Sequence, residues 1–289
     1  MRVLVVYKRS FLETHRNDRS LLRRLPAADR ARLKRADLGN KAALRDVLRY
    51  LRRAGAEAKA VDRAHLASSP KYDLIVAVGG DGTFLQAAHY ASGTPVFGIN
   101  SDPPNSLGLF AAADRTSFAP RLRAALAGKL PAARLNRLAV EVNGRARPEL
   151  ALNDVLIAHR SPASLSRYAL SVDGGAPEVQ RSSGLWISTA AGSTAAIRAA
   201  GGKKMPILSR RLQHLTREPY SWPVPPRLRR GMARRKLDVM ALMSEASLWI
   251  DGSRTRVDLR LGDHVRVSTG AEPAVVLGFD ARRREKLFP

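Results

Sequence analysis

The 289-residue chain predicts two domains of different class, an α/β domain with a parallel sheet followed by a β-rich domain. Three observations carry this. Apolar strand-like runs alternate with helical patterns up to about residue 130. One of those strands enters a glycine turn, Gly79-Gly-Asp-Gly82. From Leu138 onward the apolar segments become short and many of them alternate, with Gly, Asp or Asn between several.

Val3-Leu-Val-Val-Tyr7 reads as the opening strand, followed by a polar, Arg-rich stretch with no periodic apolar face. Leu44, Val47, Leu48 and Leu51 recur at i, i+3, i+4 and i+7, which predicts a helix over 40–53 closed by Gly55. A short strand at Ala58–Val61, the strand Leu74–Val78 and the segment Pro95–Asn100 follow, so the turn at 79–82 lies at a strand's carboxyl end, where parallel sheets bind ligands. A helix over 116–128 ends at Gly128, and Pro131 makes a linker. The β-rich domain begins at 133. Its segments include Leu138-Ala-Val-Glu-Val142, Ala151–Ile157, Tyr168-Ala-Leu-Ser-Val172, Gly184–Ser188, Ser247–Ile250, Arg256–Leu261 and His264–Ser268.

The three glycines of the turn let successive N–H groups close on an anion, and Thr83 adds a hydroxyl donor. Leu85, Ala88 and His89 keep helical spacing behind it, so the turn also opens a helix whose dipole favours phosphate. Asp81 is the odd member. A carboxylate repels phosphate, and its presence there points to a second task, taking the proton of a hydroxyl that attacks phosphorus. An ordinary Asp-Gly turn after a buried strand accounts for the same residues equally well.

In the second domain Asn153-Asp154 interrupts an apolar segment. An adjacent amide and carboxylate suit the paired hydroxyls of a ribose, and an edge or bulge with both side chains in water is the competing reading. Residues 182–196 read as a strand, a small-residue turn and a helix beginning near Ser193. Such a turn lets a flat base approach the backbone, with Thr194 at its edge; a Ser N-cap followed by close packing fits as well.

The formal charge is +25, carried by ten lysines and forty arginines against 25 acidic residues. Such a charge attracts anions from a distance. The arginines are spread over the whole chain, and the densest cluster, Arg227, Arg229, Arg230, Arg234, Arg235 and Lys236, has no aromatic inside it. That favours a solvated face over a specific nucleic-acid groove. No cysteine is present, which removes disulfides, thiolate metal sites and cysteine nucleophiles, and six scattered histidines give no metal pattern. No apolar run reaches the roughly 20 residues of a membrane span, and the start is too short for a signal segment, so a cytoplasmic protein with no membrane partner is expected.

Gly79-Gly-Asp-Gly-Thr83, Asn153-Asp154 and Gly192-Ser-Thr-Ala195, in this order and at these separations, resemble the NAD kinase family over nearly the whole chain. The resemblance is closest to the branch with mitochondrial-type NAD kinases and plant NADH kinases. Gly98-Ile-Asn-Ser-Asp-Pro103, Arg181–Gly184, Met205-Pro-Ile-Leu-Ser209, Arg217-Glu-Pro219 and Ile250-Asp-Gly252 support it. The resemblance implies an α/β domain over 1–132, a β-rich domain over 133–280, Ala281–Pro289 returning to the first, an active site in the cleft between them, and a homo-oligomer, with a dimer favoured. It implies transfer of the γ-phosphoryl of ATP, with Mg²⁺, to the 2′-hydroxyl of the adenosine ribose of NAD. Asp81 would be the base, while Gly79, Gly80, Gly82, Thr83 and Phe84 would bind the nucleotide. Asn100 would line the cleft, Asn153 and Asp154 would hold the acceptor's adenosine, and Thr194 and Ala195 would contact the nucleotide. No metal ligand is assigned to the chain itself.

Three positions depart from the family's pattern. Ser183 stands where an acidic residue is common, Ala196 where a tyrosine is common, and Asp154 replaces the usual Glu. Ser183 and Ala196 are expected near the dinucleotide, and losing an anion beside the nicotinamide weakens any preference for the NAD⁺ ring, which makes NADH a serious acceptor. The glycine signature is shared with lipid kinases of the diacylglycerol type, which tend to place an Asn-Glu pair directly after it, whereas Phe84-Leu-Gln-Ala87 follows here. A nucleotide- or nucleic-acid-binding protein without catalysis is the non-enzyme alternative, and polyphosphate suits a basic site as well as ATP does.

Overall fold

The structure is a computed structural model describing residues 1–66, 72–222, 224–270 and 272–288; Pro289, the end of the expected return segment, lies outside them. The chain divides into two compact units, Met1–Ala133 with Val275–Arg284, and Arg134–Ala274 with the residues from Glu285 on.

In chain order the first unit holds β1 (Arg2–Tyr7), α1 (Phe11–Thr14), α2 (Arg19–Arg24), α3 (Ala27–Arg53), β2 (Glu57–Asp62), β3 (Leu74–Val78), α4 (Asp81–His89), β4 (Val96–Asn100), β5 (Ala111–Asp114) and α5 (Phe118–Leu126), and β6 (Ala132–Leu135) spans the division. The expected helix over 40–53 begins instead at Ala27, and two short helices occupy the Arg-rich stretch. The reason lies in the burial. Asn40, Ala43, Val47 and Leu51 are the buried residues of α3, so its first three turns have helix-forming residues but no apolar stripe for a periodicity to reveal. Pro131 is followed directly by a strand that joins the first sheet.

The second unit holds β7 (Ala139–Val142), β8 (Arg145–Ala146), β9 (Asp154–His159), β10 (Ser166–Val172), β11 (Glu178–Ser182), β12 (Gly184–Ser188), α6 (Ala196–Ala199), β13 (Leu212–Arg217), β14 (Arg230–Ala233), β15 (Lys236–Ala241), β16 (Ala246–Ile250), β17 (Thr255–Leu259) and β18 (His264–Ser268). The chain ends with β19 (Ala274–Leu277) and α7 (Ala281–Leu287). The return to the first sheet is made by β19, which pairs parallel with β4 through Val276↔Val96 and Leu277↔Phe97.

The first sheet runs β2-β1-β3-β4-β19-β6, with β5 also on β4. The pairs β1–β2, β1–β3, β3–β4 and β4–β5 are parallel. Residues 74–78 and 96–100 are buried throughout, as continuous apolar runs covered on both faces should be. The chain passes from β1 outward to β2, then back across β1 to β3, so the strand order reverses at β1. In such sheets ligands bind outside the carboxyl ends at the reversal.

The second unit is a sandwich of two sheets, β11-β10-β15-β18-β7-β8 and β14-β13-β12-β9-β16-β17. Alternate residues of both faces, among them Tyr168, Leu237 and Val265 from one and Val155, Ile187 and Leu248 from the other, share one core. The basic cluster runs from the segment before β14 to the start of β15, with Arg234 and Arg235 at the exposed turn between the two strands. There Asp173 accepts the N–H groups of Arg234, Arg235 and Lys236 at 2.7, 2.8 and 3.1 Å, so the backbone of the turn is anchored while its arginines face water.

Candidate active site

In the first unit the glycine turn connects β3 to α4. Gly79 donates its N–H to the Ile99 carbonyl at 2.9 Å, and Gly80 caps the helix in an extended conformation. Space is tight at all three glycines, and tightest at Gly79 and Gly80. A Cβ at Gly79 would collide with the Thr83 hydroxyl, one at Gly80 with the Ser106 hydroxyl, and one at Gly82 would press on Arg63 Nη1 at 3.2 Å. Thr83 is fully buried, and its Oγ1 accepts from Arg63 Nη1 at 3.3 Å.

Asp81 is the first residue of α4, and its Oδ1 accepts the Phe110 N–H at 3.0 Å. One oxygen is thereby fixed. Phe110 also stacks on Phe84, with ring centroids 5.2 Å apart and planes 14° from parallel. Phe84 is 2 % exposed, so its ring faces protein and braces Phe110, which in turn orients Asp81. Gly98 allows the approach, since a Cβ there would stand 2.8 Å from the Phe110 carbonyl oxygen. Asn100 ends β4 and spends both ends of its amide locally, donating to Ser106 O at 2.9 Å and accepting from Asp102 N at 3.1 Å. It shapes the loop that carries Ser106 to Gly80.

In the second unit Asp154 opens β9 and Asn153 precedes it. The segment is tied down by its backbone. The Asp251 carboxylate accepts the N–H groups of Leu152, Asn153 and Asp154, while the Asn153 carbonyl accepts Thr189 N at 2.9 Å and Ser188 Oγ at 3.2 Å. Asn153 Oδ1 is buried without a partner among the described residues, an acceptor that a ligand donor would satisfy. Asp154 is buried, and that burial, reinforced by the neighbouring Asp251 carboxylate, pushes its carboxyl up to about 8. At neutral pH it is a neutral acid able to donate as well as accept.

Residues 192–199 form a single 3₁₀ turn, Gly192–Thr194, and then α6, rather than one helix from Ser193. Ser193 is no N-cap. Its hydroxyl donates to Ala190 O at 2.7 Å and accepts Met205 N at 2.9 Å. Thr194 and Ala195 are half-buried and Ala196 is exposed. Gly192 packs against the backbone of Asn153, where a Cβ would overlap it, so this turn and the Asn153 segment form one surface. Ser183 lies between β11 and β12, half-buried, with its N–H on Arg217 O at 3.1 Å.

Sequence reasoning did not assign Phe110, Asp251, Arg63 or Lys8. Asp251 had a signal, an Asp-Gly pair after a strand. Phe110 acts through its main chain, which a residue type does not announce.

A parallel-sheet unit with a glycine turn that carries one carboxylate, joined in the chain to a β-sandwich unit with an unsatisfied amide, defines a two-domain nucleotide-binding protein. Residues 39–123 match the family model of the ATP-NAD kinase N-terminal domain, and residues 152–278 that of the ATP-NAD kinase C-terminal domain. The chain is 37 % identical over 227 residues to a probable NADH kinase of Oryza sativa subsp. japonica, covering 69 % of each chain. It is 34 % identical over 232 residues to the NADH kinase of Arabidopsis thaliana, covering 69 % of this chain and 70 % of that one. Two solved structures share the fold. One is an NAD kinase from Archaeoglobus fulgidus in complex with ATP, with TM-score 0.71, 24 % identity and coverage of 100 % and 97 %. The other is yeast NADH kinase complexed with NADH, with TM-score 0.75, 15 % identity and coverage of 99 % and 86 %. The chain belongs to the NAD kinase family, in the branch with the plant NADH kinases. The lipid-kinase and non-catalytic readings of the glycine turn give way to it. Among the described residues no helix is long and apolar enough to cross a membrane.

Proposed function

We propose that this NAD(H) kinase transfers the γ-phosphoryl of Mg²⁺-bound ATP to the 2′-hydroxyl of the adenosine ribose of NAD⁺ or NADH. The observation that carries the mechanism is the fixed carboxylate of Asp81 at the mouth of a phosphate-binding turn. The 2′-oxygen attacks the γ-phosphorus, the bond from that phosphorus to the β–γ bridging oxygen breaks, and ADP leaves. Asp81 takes the 2′-hydroxyl proton. A carboxylate is a weak base for an alcohol, so the proton moves late, once the P–O bond is forming in a loose transition state. The N–H groups of the glycine turn and the N-terminus of α4 stabilise the phosphates.

The second unit supplies the acceptor's recognition. The orphan Oδ1 of Asn153 takes a donor from the adenosine, neutral Asp154 holds a hydroxyl or ring nitrogen, and the Thr194–Ala196 turn lies along the nucleotide. Among the described residues no three His, Cys, Asp or Glu side chains gather as a metal cage. Mg²⁺ that travels with a triphosphate is held chiefly by the phosphates and water with one or two carboxylates, and Asp81, at the mouth of the turn, is the carboxylate placed to approach it. The ion would neutralise phosphate charge.

The test is the initial rate of NADP(H) formation with ATP and Mg²⁺, with NAD⁺ and NADH as separate acceptors and polyphosphate as an alternative donor. Asp81→Asn keeps an acceptor oxygen for the Phe110 N–H and removes the base, so the rate should fall about 10²–10⁴-fold. A fall of less than tenfold removes Asp81 from the proton transfer. No product from folded wild-type protein with any acceptor or donor refutes the kinase.

A further inference from the structure

We propose that Lys8 and Arg63, at the ends of β1 and β2, form a cationic clamp for the donor's phosphate chain beside the glycine turn. The assignment rests on the kinase reading above, and neither residue belongs to the motifs that identify the family.

The placement follows from register. Tyr7 pairs with Asp62 on one side and with Val78 on the other, so β2, β1 and β3 end in one row. The next residue of each strand, Arg63, Lys8 and Gly79, leaves the sheet side by side. This row stands at the reversal of strand order, where a ligand crevice opens. Arg63 reaches across the first turn of α4. Its Nη1 bonds Thr83 Oγ1 at 3.3 Å and lies 3.2 Å from where a Gly82 Cβ would stand, so a larger residue at 82 would push the guanidinium off the turn.

Lys8 is the second cation. It is half-buried, and burial, then the neighbouring Arg63 charge, hold its ammonium below the ordinary lysine range, against a smaller opposite pull from Asp102. Lys8 and Arg63 thus bring two positive charges to the same end of the sheet, and a polyphosphate is a ligand of matching charge. Asp62, the carboxylate adjoining Arg63 in sequence, engages Arg9 at 3.1 Å and the Ala64 N–H at 3.1 Å. The donor is the favoured ligand because charge accumulates on the transferring phosphoryl group and its leaving phosphates, next to the turn that carries Asp81. Arg63 offers a planar fork and Lys8 a mobile point charge, a pairing suited to a chain of phosphates.

Binding can be read without turnover. Calorimetric titration of the full chain with inorganic tripolyphosphate, with ATP and with NADH would compare wild type, Lys8→Ala, Arg63→Ala, Lys8→Arg and Lys59→Ala. Lys59 is exposed on β2 and removes the same charge outside the row. Loss of either clamp cation should weaken tripolyphosphate and ATP about tenfold or more, as expected for a hydrogen bond between charged partners. NADH affinity and the Lys59→Ala variant should stay within about twofold by the same reasoning, Lys8→Arg should recover most of the loss, and the KM for ATP should rise while that for NADH holds. Unchanged tripolyphosphate affinity in both alanine variants overturns the clamp, as does a loss of NADH affinity equal to that of ATP. If the alanine variants fail to fold by circular dichroism, Lys8→Gln and Arg63→Gln, which keep most of the side-chain stem and remove the charge, carry the same comparison, and unchanged tripolyphosphate affinity in both overturns the clamp. A wild type that binds tripolyphosphate through these cations and yet makes no NADP(H) refutes the kinase and leaves the phosphate site standing.

Discussion

The Asp251 carboxylate accepts three consecutive backbone N–H groups, from Leu152, Asn153 and Asp154, at 2.7, 2.7 and 3.0 Å, and the Asp251 N–H returns to the Asp154 carbonyl at 2.9 Å. Asp251 makes this contact from the turn after β16 with φ of +48°, a left-handed conformation that Asp and Asn adopt more readily than other residues with a Cβ. One side chain thus organises the segment that presents Asn153 and, at the same time, places a carboxylate near Asp154. Structure and electrostatics of the acceptor site are linked through it.

Asp251→Asn removes the charge and tolerates the same φ, but it offers one acceptor oxygen where the carboxylate uses two, so either the Leu152 N–H or the Asn153 and Asp154 N–H groups would face an NH2. Losing at least one of the three bonds and weakening the rest should cost about 1.5–3 kcal/mol of stability, the range for hydrogen bonds to a charged group. Urea unfolding measures that directly, and the KM for NAD(H) should rise with it as Asn153 loses its anchor. A variant of wild-type stability would mean that the N–H groups find other partners.

The pH dependence of stability has a definite sign at Asp154. Its folded carboxyl titrates near 8, raised first by burial and then by Asp251, whereas an unfolded Asp titrates near 4. Between about pH 4 and 8 the folded state therefore holds a proton that the unfolded state has lost, and stability falls as pH rises through that window. Asp154→Asn removes the titration. Its melting temperature should decline less than the wild-type value from pH 5 to pH 9, and two parallel curves would contradict the shift.

What the sequence made legible follows from where the information sits. The run Leu74–Val78 into Gly79-Gly-Asp-Gly82 is buried strand, tight turn and helix start in one local segment, so spacing and residue type are enough. Helix α3 was half visible because only its later turns face the core, and the Ser193 helix was misread because its hydroxyl serves Ala190 and Met205. Phe110 and Asp251 reach Asp81 and Asp154 from 29 and 97 residues away in sequence, contacts that exist only once strands are in register.

The acceptor preference should respond to position 183. Ser183 adjoins the turn into β12, and placing a carboxylate there restores an anion expected near the nicotinamide. In Ser183→Asp the ratio of kcat/KM for NAD⁺ to that for NADH should rise by about twofold to fivefold, the worth of one partly exposed charge contact. A ratio unmoved, with both activities retained, would separate residue 183 from the nicotinamide.

Gly192 and Gly201 distinguish a glycine required by contact from one required by conformation. A Cβ at Gly192 would overlap the Asn153 backbone, reaching its Cα at 2.6 Å, whereas Gly201 meets nothing within 4 Å but holds φ at +96°. Gly201→Ala should cost about 1 kcal/mol or somewhat more through backbone strain alone, with NADH affinity intact. Gly192→Ala must move main chain on both sides of the contact, so its cost should approach about 3 kcal/mol. It should also abolish NADH binding, because the displaced partner is Asn153. Urea melts paired with calorimetric NADH titrations test both halves. If Gly192→Ala loses stability and still binds NADH like wild type, the Asn153 segment does not hold the acceptor.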